Sequence, residues 1–255
     1  MNAREYRPAV NDCEIEIKIM KPQNIPTLVE LGSHHVGFTG HDWVVETGAR
    51  VVELLDLEFD PVTVVAAAPD GLINTGRRKR TIVVASEYET ISRRFLESQP
   101  YEYVFLRTYG ATEVFPPDDA DMIIDNMASG RTLEEHGLCV ISTILHSSTR
   151  LICNKEALED PWKKQKIYEM KMLFQSILNA RDRVMLEMNI PPDHLTEIVS
   201  ELPCMKSPTV APLYGDQGFA VKIAVKKTEI TKLIPRLKQL GATDILEYNL
   251  QKVVV

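Results

Sequence analysis

The sequence has few cysteines and no long apolar run. Only four cysteines occur among the 255 residues, and none lies in a CxxC pair: Cys13, Cys139, Cys153 and Cys204. This scatter argues against a structural zinc site and a disulfide framework, and it favours a reducing compartment. No stretch approaches the ~18–20 apolar residues that cross a bilayer, and no secretory signal is evident. We therefore expect a cytoplasmic protein without a membrane partner.

Positive charge is also scarce. Lys and Arg total 29 against 36 Asp and Glu, which gives a net charge of −7. We expect no general attraction to nucleic acid, so any phosphate must be bound locally. Gly and Pro number only 12 and 15, far from a collagen-like or disordered composition, and 44% of residues are hydrophobic. The chain should fold, with two or three domains.

Short apolar runs alternate with helical stretches through most of the chain. Strands are predicted at 14–19, 62–68, 81–86, 103–106, 122–125 and 140–145, and a helix at 87–98. Strands separated by helices are typical of α/β folds with parallel, open sheets, whose ligands bind at the carboxyl ends of the strands.

The last hundred residues have a different pattern. Apolar residues at three- and four-residue spacing predict one long packing helix over 157–188, which Pro191 and Pro192 end. A helix, two strands, a helix ended by Gly241 and a final strand follow, which indicates a small α+β domain. We place the domain boundary at the two prolines.

One segment combines the features of a phosphate site. The predicted strand 122–125 ends in Asp125, and Ser129-Gly130-Arg131-Thr132 then precedes a predicted helix. Backbone N–H groups, a hydroxyl and a glycine at a helix start can hold a phosphate. A carboxylate beside them can accept both hydroxyls of a ribose. On spacing alone, a capping Ser or Thr with an incidental acid is the favoured interpretation, because strand-turn-helix junctions commonly use these residues as caps.

The order of strand, acid and Ser-Gly-x-Thr-Leu resembles the phosphoribosyl pyrophosphate (PRPP) loop of phosphoribosyltransferases. The surrounding segments make the sequence similar to the ATP phosphoribosyltransferase family, over nearly the whole chain: 37–43, 52–57, 110–114, 134–138 and 147–152. Segments 202–213 and 233–246 resemble the regulatory C-terminal domain of the long form of that family.

The resemblance implies the first reaction of L-histidine biosynthesis. N1 of the adenine of ATP attacks C1 of PRPP, pyrophosphate leaves with Mg²⁺, and phosphoribosyl-ATP forms. The family's PRPP-binding positions correspond here to Asp125 for the ribose and, for the 5′-phosphate, to Ser129, Gly130, Arg131, Thr132 and Leu133. Glu113 is a second candidate near the ribose. No side chain is assigned as a catalytic acid, base or nucleophile.

The resemblance also implies an architecture and a regulator. The expected fold class is α/β, with a two-lobed, periplasmic-binding-protein-like catalytic region and a small α+β, ferredoxin-like regulatory domain. Lobe one would comprise 1–79 and 146–190, lobe two 80–145 and the regulatory domain 191–255, in a homo-oligomer between dimer and hexamer. L-Histidine would bind the regulatory domain as feedback inhibitor, with these candidate contacts: Ser207, Thr209, Asn189 and Asp244. For Ser207 and Thr209, a turn around Pro208 is the alternative.

Several features leave other interpretations open. Family members begin with a strand and a Lys-Gly-Arg turn that the residues from Met1 onward lack. A non-catalytic nucleotide- and histidine-binding sensor, or an inactive truncated paralogue, is therefore the alternative function. The two-lobed fold alone would also suit a solute-binding receptor, which the lack of an export signal disfavours.

Other polar side chains have a structural and a functional interpretation. His34, His35 and His41 are poorly spaced for a metal site. Asp42 and Trp43 are expected to pack or to shape the cleft wall. In the alternative interpretation, Asp42 contacts a ligand. The basic run 77–80 is interpreted as a solvated linker, with attraction of nucleotide phosphate as the alternative.

Overall fold

The computed structural model describes residues 6–70, 81–203, 205 and 207–255. The chain divides into two compact units, Met1–Ile167 and Tyr168–Val255. The helices and strands up to this division are α1 (Ile25–Glu30), β1 (Val36–Gly40), α2 (His41–Thr47), β2 (Val52–Asp56), β3 (Val62–Pro69), β4 (Ile82–Ser86), α3 (Glu89–Leu96), β5 (Tyr103–Arg107), β6 (Met122–Met127), α4 (Arg131–Glu135), β7 (Leu138–Ser147) and β8 (Thr149–Cys153). Helix α5 (Pro161–Arg181) crosses the division, and the second unit continues with β9 (Arg183–Ile190), α6 (Leu195–Glu201), β10 (Thr209–Pro212), β11 (Phe219–Lys226), α7 (Lys227–Gln239) and β12 (Thr243–Asn249).

A five-stranded sheet of order β5-β4-β6-β3-β7 forms the larger part of the first unit. The predicted parallel pairing is confirmed for β4 with β5 and β6. Strand β3, however, runs antiparallel to both β6 and β7. Residues 62–68, which we expected in lobe one, therefore share a sheet with strands that we expected in lobe two. A strand whose residues are buried on both faces needs a central place in a sheet, and β3 takes it between β6 and β7.

Two hydrophobic clusters cover the two faces of this sheet. One includes Val64 and Val84 with Ile91 and Leu96 of α3. The other includes Val65, Ala85 and Ile123 with Leu133 of α4. Because side chains alternate between faces along a strand, neighbouring residues of β3 and β4 serve opposite clusters. This packing fixes the ends of β4 and β6, from which the candidate site is built.

A three-stranded antiparallel sheet of order β1-β8-β2 forms the other layer of the first unit. Val29 of α1 and Val44 of α2 pack with Ile152 of β8. The strand predicted at 14–19 is wrong, because that segment has no strand pairing and Ile17 and Ile19 are exposed.

Among the described helices, none is long and apolar enough to cross a membrane.

The second unit has a ferredoxin-like topology. Its elements follow the order strand, helix, strand, strand, helix, strand, and the sheet has the order β10-β11-β9-β12 with antiparallel pairs throughout. The predicted α+β domain is confirmed, with a core that includes Leu186, Ile198, Val221 and Leu237.

The boundary of this unit differs from the expected one. The helix predicted over 157–188 ends at Arg181, and Arg183–Ile190 forms β9, a central strand of the second sheet. Burial alternates strictly along β9, with Val184 and Met188 among the buried residues. The apolar residues of this segment fit the spacing of a helix as well as that of a strand. Pairing with β11 and β12 makes the segment a strand. Residues 183–190 therefore belong to the ferredoxin-like sheet and not to a catalytic lobe.

Candidate active site

Asp125 lies near the carboxyl end of β6, a central strand of the five-stranded sheet. Residues 122–124 are buried, and Asp125 is the first partly exposed residue of the strand. The backbone N–H of Asn126 donates to its carboxylate over 2.7 Å, and Thr112 contributes a side-chain hydrogen bond. Burial nevertheless raises the pKa of Asp125 to about 6, and the charges of Glu87 and Glu113 add to the rise.

Glu113 lies on a short 3-10 turn, Thr112–Val114, which Ala111 enters with a φ of 49°. Thr112 is buried, and its hydroxyl lies 2.9 Å from that of Thr108 at the end of β5. The effect of Glu113 on the pKa of Asp125 places these two predicted site residues close together. Glu87, which the sequence analysis did not select, is the third carboxylate of this group.

The predicted phosphate loop follows β6 directly. Gly130 precedes α4 with a φ of 81°, a conformation that costs little only for glycine. The first-turn N–H groups of α4 have no partners within the helix. Arg131 pairs with Glu135 on the surface. Leu133 packs its side chain into the hydrophobic cluster, so only its backbone N–H remains for a phosphate.

A cavity of about 480 Å³ opens beside the ends of β4 and β5, within the size range of small-molecule sites. Aromatic, acidic and basic side chains line it: Lys21, Gln23, Asn24, Trp43, Glu46, Thr47, Glu87, Glu89, Thr90, Arg107, Thr108 and Tyr109. Trp43, which was expected to pack or to shape the cleft wall, lies among these lining residues. Glu87 lines the cavity, and its charge also raises the pKa of Asp125, which couples the cavity electrostatically to the end of β6.

Sequence reasoning missed a hydrogen-bond network behind this site. Asn126 donates from Nδ2 to the Tyr88 hydroxyl over 3.0 Å, and that hydroxyl donates to Asp42 over 2.7 Å. Burial and the neighbouring Asp42 carboxylate raise the pKa of Tyr88, so the phenol keeps its proton. Trp43 stacks on the Tyr88 ring with centroids 4.5 Å apart. The signal available in the sequence was the acid and aromatic pair at the start of α2.

The four candidate histidine contacts lie in the second unit. Asn189 of β9 donates to Asp244 over 3.0 Å, and the Thr243 hydroxyl donates to the same carboxylate over 2.9 Å. These bonds lower the pKa of Asp244, the one from Asn189 most strongly. Thr209 begins β10, two strands away from β9, and Ser207 is exposed just before it. The structure therefore brings Asn189 and Asp244 into contact and leaves Ser207 and Thr209 apart from them.

The remaining predictions concern basic residues. His41 hydrogen-bonds through Nδ1 to Glu53 at 3.0 Å. Burial lowers the pKa of His35, which favours its neutral form. The basic run 77–80 lies outside the described residues, so both interpretations of it stay open.

Comparison with known proteins shows which family the chain belongs to. A family model for ATP phosphoribosyltransferase matches residues 21–176, and a model for the HisG C-terminal domain matches residues 180–252. An ATP phosphoribosyltransferase from Chlorobium phaeovibrioides is 39% identical, covering 100% of this chain and 88% of its own length. One from Pelotomaculum thermopropionicum is also 39% identical, over 100% of this chain and 90% of its own.

A solved structure has a similar fold. The ATP phosphoribosyl transferase (HisG:HisZ) complex from Thermotoga maritima has a TM-score of 0.58 and 22% identity, covering 65% of this chain and 80% of that chain. At this identity the likeness concerns the fold alone. The family models and the curated relatives, by contrast, cover most or all of the sequence. The chain belongs to the ATP phosphoribosyltransferase family.

Proposed function

We propose that this protein transfers a phosphoribosyl group from PRPP to N1 of the adenine of ATP, the first step of L-histidine biosynthesis. The observation that carries this proposal is the position of Asp125. It stands at the carboxyl end of a central strand, directly before the loop and helix start at 129–133. Family membership indicates the reaction. The residues at the carboxyl end of β6 and in the following loop provide the groups that PRPP requires.

Asp125 and the loop have complementary roles in this proposal. The ionised Asp125 carboxylate accepts hydrogen bonds from the two ribose hydroxyls of PRPP. The backbone N–H groups at the start of α4, with the Ser129 and Thr132 hydroxyls, hold the 5′-phosphate. Gly130 lets the backbone approach the phosphate, and Glu113 is a further contact near the ribose.

The reaction itself needs little from protein side chains. N1 donates its lone pair to C1 while the bond from C1 to the pyrophosphate oxygen breaks, and pyrophosphate leaves with that electron pair. Positive charge develops on the ribose ring as the bond breaks. In this proposal the Asp125 carboxylate, which accepts the ribose hydroxyls, also stabilises this charge, and positioning and electrostatics supply most of the acceleration.

The carboxylates near the carboxyl end of β6 are suitable ligands for Mg²⁺. Within the described ranges, no group of three or more His, Cys, Asp or Glu residues is arranged to hold a metal ion unaided. Mg²⁺ commonly binds through one or two carboxylates together with substrate phosphates and water. Glu87 would hold it beside the pyrophosphate of PRPP, where it would neutralise charge on the leaving group.

The second unit is proposed to bind L-histidine as an inhibitor. Asp244, whose carboxylate stays ionised, suits the ammonium or imidazole of a free histidine, and Asn189 fixes that carboxylate. Inhibition requires histidine to prefer one assembly or lobe arrangement over another. Ser207 and Thr209 would complete the site if another subunit contributes to it. We further propose a cytoplasmic homo-oligomer, between dimer and hexamer.

Turnover tests the proposed function. The full chain is incubated with ATP, PRPP and Mg²⁺, and phosphoribosyl-ATP is followed by mass spectrometry. We expect product from the wild type and a loss of at least a hundredfold in Asp125→Ala, because the ribose loses its charged acceptor. The matched control is Asp118→Ala, which removes an exposed acid from a neighbouring loop. Binding of ATP and PRPP without product would instead support a non-catalytic sensor.

A further inference from the structure

Helix α2 carries two buried carboxylates on one face. Asp42 and Glu46 are four residues apart, so they lie on the same side of the helix. Asp42 is 3% exposed and Glu46 9% exposed. A buried carboxylate is costly unless hydrogen bonds compensate for the lost water, so the partners of this pair show what the arrangement achieves.

Both oxygens of Asp42 accept hydrogen bonds. The Ser147 hydroxyl, at the end of β7, donates to Oδ1 over 2.6 Å, and the Tyr88 hydroxyl donates to Oδ2 over 2.7 Å. The Asp42 backbone N–H in turn donates to the Ser147 oxygen over 3.0 Å. Asp42 therefore joins α2, beside the three-stranded sheet, to two ends of strands in the five-stranded sheet.

Glu46 makes a matching contact with the start of α3. Its two oxygens accept the backbone N–H groups of Thr90 and Ile91, each over 3.0 Å. This carboxylate satisfies two first-turn donors of the eight-residue helix and lies at the positive end of its dipole. A substrate phosphate cannot use those two donors, unlike the donors at the start of α4.

These contacts continue to the candidate active site. The Tyr88 hydroxyl that donates to Asp42 also accepts from Asn126, the neighbour of Asp125. Trp43, between the two carboxylates on α2, stacks on Tyr88 and lines the cavity together with Glu46. One wall of the cavity and the support of Asp125 thus depend on the same few hydrogen bonds.

We propose that Asp42 and Glu46 form a carboxylate clasp that positions the site, by holding the segment 88–91 against α2 and, through Tyr88 and Asn126, fixing Asp125. The clasp residues touch no reacting atom in this proposal. They set the distance between the two layers that face the cavity, and so the fit of both substrates. The proposal rests on the proposed function, which names PRPP as the ligand of Asp125.

The most selective variant is Tyr88→Phe, because it removes only the hydroxyl oxygen and keeps the ring that stacks on Trp43. We expect kcat/KM for PRPP to fall by about tenfold to a hundredfold, as for a misplaced binding group. Glu46→Gln, which keeps the size of the side chain, should cause a fall of the same order. Glu30→Gln is the matched control, since Glu30 and its partner Arg50 lie outside α2, α3 and the cavity lining.

A double-mutant cycle separates positioning from general destabilisation. If Tyr88 acts through Asn126, Asn126→Ala should reduce kcat/KM, and the Tyr88→Phe, Asn126→Ala double variant should be little worse than either single variant. All variants are assayed well below their melting temperatures. Additive losses, or Tyr88→Phe and Glu46→Gln within twofold of the wild type, would overturn the proposal.

A binding measurement keeps this test independent of turnover. Trp43 and Trp162 are the two tryptophans of the chain, so Trp162→Phe leaves Trp43 as the only indole reporter. In that background, PRPP with Mg²⁺ should change Trp43 emission, and Tyr88→Phe should raise the apparent Kd about tenfold. An unchanged Kd would contradict the clasp. A wild type that binds PRPP in this way but forms no product would contradict the proposed function alone.

Discussion

Thr112 hydrogen-bonds to the carboxylate of Asp125. Its hydroxyl lies 2.9 Å from that of Thr108, so Thr112 can accept a hydrogen bond from Thr108 while it donates to Asp125. The hydrogen bonds from the Asn126 backbone N–H and from Thr112 oppose the effect of burial, and yet the pKa of Asp125 still rises to about 6. The free site therefore holds a carboxylate that is only moderately stabilised in its ionised form, next to the carboxylates of Glu87 and Glu113. Binding of substrate hydroxyls and a cation would relieve this repulsion.

The first prediction concerns stability. Because the pKa of Asp125 is higher in the folded chain than the reference value of 3.8, its stabilising contribution is full below about pH 4. That contribution is lost as the pH rises through about 6, and the loss is on the order of 2–3 kcal/mol by pH 8. Asp125→Asn lacks this ionisation, so we expect it to melt higher than the wild type at pH 8.

Thermal unfolding at several pH values, without ligands, measures this difference. The gap between Asp125→Asn and the wild type should shrink as the pH falls from 8 to 4. Asp118→Asn, at an exposed acid, is the control and should show no comparable gap. An Asp125→Asn variant that melts below the wild type at pH 8 would show that the carboxylate stabilises the free fold.

The second prediction concerns the pH dependence of PRPP binding. Ribose hydroxyls donate most strongly to an ionised carboxylate, so kcat/KM for PRPP should fall as the pH drops through about 6, the pKa of Asp125. PRPP titrates in the same range, and a variant distinguishes the two. Thr112→Val removes a hydrogen bond that lowers the pKa of Asp125, so the midpoint should move to higher pH.

The profile is measured at saturating ATP, with the wild type and Thr112→Val side by side. A midpoint that is identical in both proteins would assign the titration to the substrate. Val has nearly the shape of Thr, so the buried site of Thr112 should tolerate it, although the Thr108 hydroxyl loses a partner.

Local patterns predicted much of this molecule, and long-range pairing explains what they missed. The strand, acid and loop order around Asp125 is visible in the sequence because all its parts lie within a dozen residues. Strand β9 was missed because residues 183–190 fit helical and strand spacing alike, and only pairing with β11 and β12 decides between them.

The clasp was missed for a related reason. Asp42 and Tyr88 are 46 positions apart, and Asp42 and Ser147 are 105 apart. No local signal connects residues at such separations, although the four-residue spacing of Asp42 and Glu46 does place both on one helix face. Leu133 shows what a motif position leaves open: its side chain packs in the core, so a ligand contact at this position would come from its backbone N–H.

The third prediction concerns the phosphate loop. Gly130 has a φ of 81°, and a Cβ there would lie 3.2 Å from the sulfur of Met127. Gly130→Ala therefore strains the loop by about 1–2 kcal/mol, which should raise KM for PRPP roughly tenfold if the loop relaxes away from its binding conformation. KM for ATP should change less. Steady-state kinetics with each substrate varied in turn measures both.

Gly137→Ala is a matched control for this variant. Gly137 follows the same short helix with a φ of 67°, and a Cβ there meets nothing within 4 Å. Its backbone strain is similar, but it lies away from the loop that is proposed to hold phosphate. Equal increases in KM for PRPP in the two variants would mean that general strain, and not the loop, controls PRPP binding.

The last prediction concerns regulation through Asp244. This residue has a φ of 49°, a conformation that Asn tolerates well, so Asp244→Asn removes the charge with little backbone cost. If Asp244 binds a cationic group of L-histidine, the variant should weaken histidine binding about tenfold or more while kcat and both KM values stay near those of the wild type. Glu247→Gln, on the same strand, is the control. Calorimetric titration with L-histidine and inhibition of turnover should change together, because binding and inhibition are linked. Unchanged binding in Asp244→Asn would exclude this carboxylate from the regulatory site and leave Ser207 and Thr209 as the candidates to examine.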